Sequence, residues 1–146
     1  DDAVAATKAA LAEGIVAGGG VTLVNLAGGL KVTGANSIAA GRQILKDALK
    51  QPFLQIMRNA GLNADALLAQ VEAGKAGFGV NVMKPENELV DVKKAGVIDP
   101  ARVTKEAVQN AVSIASTAAT MGALVVDVPE PEAPAVPGGM PGMGMM

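Results

Sequence analysis

Apolar residues recur at helical spacing from the first residue onward. Val4, Leu11 and Ile15 share a face with the stem of Lys8, and Ala3, Ala6, Ala10 and Ala17 lie beside it. This spacing predicts a helix from Asp1 to about Ala17. Gly18-Gly19-Gly20 ends it, because three consecutive glycines lose too much backbone entropy to sit inside a stable helix. A second short helix is predicted over Val21–Ala27, stopped by Gly28-Gly29. After a connector at 30–35, Asn36 or Ser37 caps a longer helix with apolar positions at Ile38, Leu45, Leu49, Phe53, Ile56 and Met57. Pro52 is predicted to kink it, Gly61 to end it, and Asn63 to cap a further helix over 64–73.

Beyond Gly74 the period changes. Gly77 to Met83 alternates as a short strand does, with Gly77 and Gly79 on one side. A polar turn containing Pro85 follows, then a helical turn over 89–95 and a brief extended stretch at Val97-Ile98. Asp99-Pro100 reads as a helix start, with Asp as cap and Pro in the first helical position. The helix that follows places Val108, Ala111, Val112, Ala115, Ala118 and Ala119 on one face. Residues 123–128 read as a strand. From 130 to 146 the chain is Pro, Gly, Ala and Met, too poor in buriable surface to offset its ordering entropy, and disorder is expected there.

Composition narrows the chemistry. Half the residues are apolar, but only 1% are aromatic, so the core must be filled by Ala, Val, Leu, Ile and Met. Charged residues make up only 18%, a low share that points toward surface buried against partners. A formal net charge of -2 with dispersed Lys and Arg argues against nucleic-acid binding. With neither Cys nor His, disulfides, thiol nucleophiles and imidazole chemistry are excluded, and no metal site is expected from side chains of this chain. The uncharged run 107–126 carries Gln109, Asn110, Ser113, Ser116, Thr117 and Thr120, so a membrane span is not expected.

Three segments, taken in order, carry a family resemblance. Asp2-Ala-Val-Ala-Ala-Thr-Lys8 leads to Glu13-Gly-Ile-Val-Ala-Gly-Gly-Gly20. Ala95-Gly-Val-Ile-Asp-Pro100 precedes Val103-Thr104, and the chain closes on a Gly-Gly-Met-rich tail. Together they closely resemble the group I chaperonin, the bacterial Hsp60 type. The resemblance implies a mainly α fold with small β elements: the C-terminal half of an equatorial ATP-binding domain over 18–129, the end of the intermediate-domain helix over 1–17, and a free tail over 130–146. Asp1 in place of an initiating Met fits a piece of a longer subunit.

The resemblance also assigns roles, each beside a plainer reading. Asp2 matches the carboxylate that positions and activates the attacking water; by pattern alone it is an acid favouring a helix N-terminus. Gly19 matches a nucleotide-contacting glycine; alone it is part of an elbow between helices. Asn81, Val82 and Met83 fall where the family contacts the adenine side. Members commonly carry smaller residues after the Asn, so backbone contacts are the expected ones. Asp99 matches an acceptor for the ribose hydroxyls and equally suits a helix cap.

The function implied is that of an ATP-dependent, Mg2+-requiring folding ATPase, grouped with the protein-folding isomerases. It would enclose non-native client proteins in the cytoplasm, as stacked rings of identical subunits with an Hsp10-type co-chaperonin. The strand at 124–128 would pair with a neighbouring subunit. No Gly-Asp-Gly-Thr-Thr phosphate loop occurs here, so Mg2+ ligands are expected mostly outside this segment and the chain alone is expected to be inactive. The alternative is a non-enzymatic helical oligomerisation module with no nucleotide dependence.

Overall fold

The computed structural model describes residues 1–84 and 88–128. Among these described residues, six helices and four three-residue strands follow one another as α1 (Asp2–Glu13), β1 (Ile15–Ala17), α2 (Val21–Gly29), α3 (Ser37–Ala48), α4 (Gln51–Asn59), α5 (Ala64–Ala73), β2 (Phe78–Val80), β3 (Leu89–Asp91), β4 (Ile98–Pro100) and α6 (Ala101–Ala119). The fold is mainly α with two small antiparallel sheets, β1–β4 and β2–β3.

The core lies among α2, α4, α5 and the β2–β3 hairpin. Val21, Val24, Phe53, Met57, Val71 and Val92 are almost completely excluded from solvent. Phe53 is the only aromatic among them and the largest contribution to buried area; a side chain of this size contributes roughly 1.5–3 kcal/mol on burial. Asn36 and Asn63 cap α3 and α5, their side-chain oxygens accepting from the amides of Ala39 at 3.0 Å and Ala66 at 3.2 Å. Lys50 and Glu72, 2.7 Å apart, join the start of α4 to the end of α5.

The expected helix over 1–17 ends early. Gly14 takes φ 82° and its amide closes the last turn on the Ala10 carbonyl at 2.8 Å, so the β-branched pair Ile15-Val16 enters a strand. That strand pairs with β4 in the register Ile15↔Pro100, Val16↔Asp99, Ala17↔Ile98. The kink expected at Pro52 is a full break: α3 stops at Ala48, and Pro52 sits in the first turn of α4, where a missing amide leaves no bond unmade. The strand expected over 77–83 stops at Val80. Residues 89–91, expected to start a helical turn, form the partner strand in the register Phe78↔Asp91, Gly79↔Val90, Val80↔Leu89. The helical-type turn comes later, with Ala95 and Gly96 amides donating to the Asp91 and Lys93 carbonyls.

Asp99 does not cap α6. It is held in the β1–β4 ladder, and Pro100 precedes the first helical residue without any side-chain cap bond. The apolar face read for α6 exists, but α6 buries no residue. Val108, Ala111, Val112 and Ala115 instead line an open groove of about 580 Å³ shared with Ile44, Leu45, Leu49 and Pro52. Among the described residues the strand expected over 123–128 is not formed; Leu124, Val125, Val126 and Val128 are exposed, with no described strand beside them. The turn at Pro85 and the tail 130–146 lie outside the described residues.

Candidate functional site

The β1–β4 ladder brings two of the candidate elements side by side. β1 feeds the glycine elbow, and β4 contains Asp99 directly across from Val16. The pairing continues one step further, since the Gly18 amide donates to the Val97 carbonyl at 3.0 Å. Within the elbow the three glycines serve different ends. A Cβ on Gly18 would lie 2.9 Å from the Ile98 nitrogen, and one on Gly20 would lie 2.8 Å from the Phe53 nitrogen, both backbone atoms that cannot swing aside. Gly18 and Gly20 therefore let strand and helix backbones close on the elbow.

Gly19 differs. Its φ is 64°, and a Cβ there would meet only the Val97 Cγ1 at 3.5 Å, an ordinary contact. Its surroundings are half open. Among the described residues neither the Gly19 nor the Gly20 amide finds a backbone acceptor, while the Val21 amide turns back to the Gly18 carbonyl at 3.2 Å. Free amides before a helix N-terminus suit an anionic or polar ligand. The local requirement is thus two glycines for packing and one left free on the surface side.

Asp99 is half-buried, and burial pushes its carboxyl above the usual carboxylate range. No charged or hydrogen-bonding neighbour offsets that burial among the described residues. A carboxylate in that condition gains most from a ligand that donates hydroxyl hydrogens, and a vicinal diol supplies two. The residues present therefore fit the sugar and backbone-facing parts of a nucleotide. No three acidic side chains cluster so as to hold a metal ion among the described residues.

Asn81, Val82 and Met83 form a turn at the end of β2. The Asn81 side-chain oxygen accepts from the Met83 amide at 3.0 Å, and the Asn81 carbonyl accepts from the Lys84 amide at 3.0 Å. Val82 and Met83 point largely to solvent, whereas Asn81 is half-buried. The turn is tied to the elbow through Gly79, which packs against Val21.

Asp2 is not brought to this cluster. It is exposed in the first turn of α1, at the far end of a 12-residue helix from β1. At 1.5 Å per residue this places it about 16 Å along the axis from Glu13. α1 buries no residue; Glu13 at its end reaches Lys105 of α6 at 2.5 Å. Sequence reasoning missed Val97, whose side chain touches the Gly19 position and whose carbonyl anchors Gly18. The available signal was the pair of β-branched runs, Ile15-Val16 and Val97-Ile98, flanking the two motifs.

A family model described as TCP-1/cpn60 chaperonin family matches residues 1–128. Among solved structures, the chain is similar to a group III chaperonin in the open state, with TM-score 0.71, 27% identity and coverage of 80% of this chain. It is also similar in fold to an open-state monomer of a group II chaperonin from Methanococcoides burtonii, with TM-score 0.66, 24% identity and coverage of 73%. It spans only 25% and 28% of those two chains. No helix among the described residues is long and apolar enough to cross a membrane. With the match running from α1 through the elbow and ladder to the end of α6, the chain belongs to the TCP-1/cpn60 chaperonin family.

Proposed function

We propose that this chain supplies one wall of the ATP site of a ring-forming, protein-folding chaperonin. The observation that carries the reading is the β1–β4 ladder, which pairs the strand leading into the Gly19 elbow with the strand that holds the half-buried carboxylate of Asp99 opposite Val16. In this reading Asp99 accepts hydrogen bonds from the ribose, Gly19 lets the nucleotide lie against the backbone, and the backbone of Asn81, Val82 and Met83 borders the base. Bound Mg2+ would neutralise phosphate charge, its ligands coming from the phosphates and from the rest of the subunit. Residues 1–17 then belong to the intermediate domain and 18–129 to the equatorial domain.

Asp2 is the proposed acceptor that orients the attacking water. Asp2 is exposed in the first turn of α1, so in this reading it serves hydrolysis and not binding. The exposed run Leu124–Val128 has strand-forming side chains and no partner among the described residues, which supports pairing with an adjacent subunit. Group I character rests on the sequence motifs; the two similar solved structures are of groups III and II. Clients, a co-chaperonin and a cytoplasmic setting follow from the same assignment.

The test is ATP titration and single-turnover hydrolysis in the assembled chaperonin carrying this segment. Asp99→Ala is expected to weaken ATP binding about tenfold or more, the loss of hydrogen bonds to a charged acceptor. Asp2→Ala is expected to leave affinity nearly unchanged and slow hydrolysis at least about a hundredfold. Unchanged affinity in Asp99→Ala, together with normal turnover in Asp2→Ala, would remove the basis for the reading.

A further inference from the structure

Gly79 sits buried in the middle of β2, opposite Val90. A Cβ placed there would run into the Cγ2 of Val21 and lie 3.1 Å from the Cγ1 of Val92. Val21 and Val92 are both excluded from solvent within the same core cluster. Both are β-branched, so neither side chain can turn away without an unfavourable rotamer or a backbone shift.

Each valine leads directly to the nucleotide-facing residues. Val21 follows Gly20, and its amide is bonded to the Gly18 carbonyl. The Val92 carbonyl accepts from the Val97 amide at 2.8 Å, and Val97 in turn flanks Gly19 and holds Gly18. On its own strand, Gly79 lies two residues before Asn81, whose side chain fixes the turn at 81–83. One missing side chain therefore sets the spacing of three segments: the elbow, Val97 with the start of β4, and the turn after β2.

We infer that Gly79 is a positioning residue for nucleotide binding, registering the Asn81–Met83 turn against the Gly19 elbow through close contact with Val21 and Val92. The inference rests on the proposed nucleotide site. Gly79 touches no ligand; it acts through the two valines. A misplacement of about 1 Å at a binding wall is enough to change affinity or rate by as much as about a hundredfold.

The experiment compares Gly79→Ala, Val21→Ala and the double variant in the assembled chaperonin, reading equilibrium ATP affinity and hydrolysis at saturating ATP. Gly79→Ala is expected to weaken ATP binding about tenfold while saturated turnover stays within about twofold. Val21→Ala removes the methyl groups that an alanine at 79 would strike, so the double variant is expected to return to within about threefold of the unmodified affinity. Unchanged affinity in Gly79→Ala overturns the inference, and so does a folded double variant whose affinity stays low. If Gly79→Ala alone does not assemble, the double variant decides by the same criterion. Gly19→Val measured alongside separates the two levels. A loss of affinity there with none in Gly79→Ala overturns only the positioning role. Unchanged affinity in both overturns the nucleotide site and this inference with it.

Discussion

The glycine elbow and α6 both spring from the β1–β4 ladder, yet they end in opposite environments. At the elbow, backbone meets backbone so closely that Gly18 and Gly20 leave no room for a methyl group. Along α6, 19 residues carry an apolar face of which no residue is fully buried. The first region is complete within this chain, its atoms fixed by Phe53, Val97 and Ile98. The second is a helix face and an apolar groove open to solvent. The contrast separates what this segment can specify by itself, the geometry of a site wall, from surface that contributes little to its own stability.

The largest effect should come from filling the elbow. Gly20→Ala adds a Cβ against the backbone of Phe53 at a residue with φ 78°, combining overpacking with left-handed strain. A loss of about 3 kcal/mol is expected in urea unfolding of the chain. Gly18→Ala should cost about 1–3 kcal/mol, because it lies at ordinary φ but strikes the Ile98 backbone. On α6 the comparison reverses. Ile114, 71% exposed, should accept Ile114→Lys within about 0.5 kcal/mol in the same unfolding measurement. A loss of about 2 kcal/mol or more there, the size expected at a buried position, would show that α6 is not a loosely held element.

The smallest effect concerns pH. Burial raises the folded-state pKa of Asp99, so the folded protein binds its proton more tightly than the unfolded chain does. The resulting stabilisation is present in acid and is lost as pH rises from the ordinary carboxylate value through the raised one. Asp99→Asn should remove that slope and raise nucleotide-free stability near neutral pH by at most about 0.5 kcal/mol, because the partly exposed site is screened by solvent. The Arg102–Glu106 pair acts in the opposite direction. Arg102, hydrogen-bonded at 2.8 Å, lowers the Glu106 pKa, so its small contribution is present at neutral pH and fades as pH falls through the lowered value. Urea midpoints between pH 3 and 7, the range in which carboxylates titrate, check both signs.

Much of the helical order was legible because its signals are local. Asn36 and Asn63 cap where their side chains predict, and Gly74 stops α5 as expected, whereas α2 runs through Gly28-Gly29, which were expected to stop it, and ends at Leu30. The β elements were less legible because their partners are distant in sequence. The β-branched pair Ile15-Val16 favours a strand, but nothing within 15–17 says that residues 98–100 will be its partner, and the segment also continues the helical spacing of α1. The same non-local bond took Asp99 out of its expected cap position. Asp-Pro reads as a helix start, but the ladder opposite Val16 holds the Asp extended, and the helix begins one residue after the Pro. Within the site, the triplet alone gave an elbow and Gly19 was singled out only by resemblance, while the distinct packing duties of Gly18 and Gly20 depend on Ile98 and Phe53, far along the chain. Asp2 was legible only by resemblance, and its distance from the elbow follows from a helix axis that no motif encodes.

The most direct test of the account is hydrogen exchange of the assembled chaperonin with and without Mg-ATP, read on peptides covering 14–24, 78–84, 96–101 and 104–118. The account predicts that ATP slows exchange at Gly19 and Gly20, whose amides have no backbone acceptor, with smaller protection at 81–83 and 97–99. Peptides from the outer part of α6 should change little by comparison. Exchange at the elbow that is identical with and without saturating ATP would contradict the claim that the glycine elbow and β1–β4 ladder form a wall of the nucleotide site.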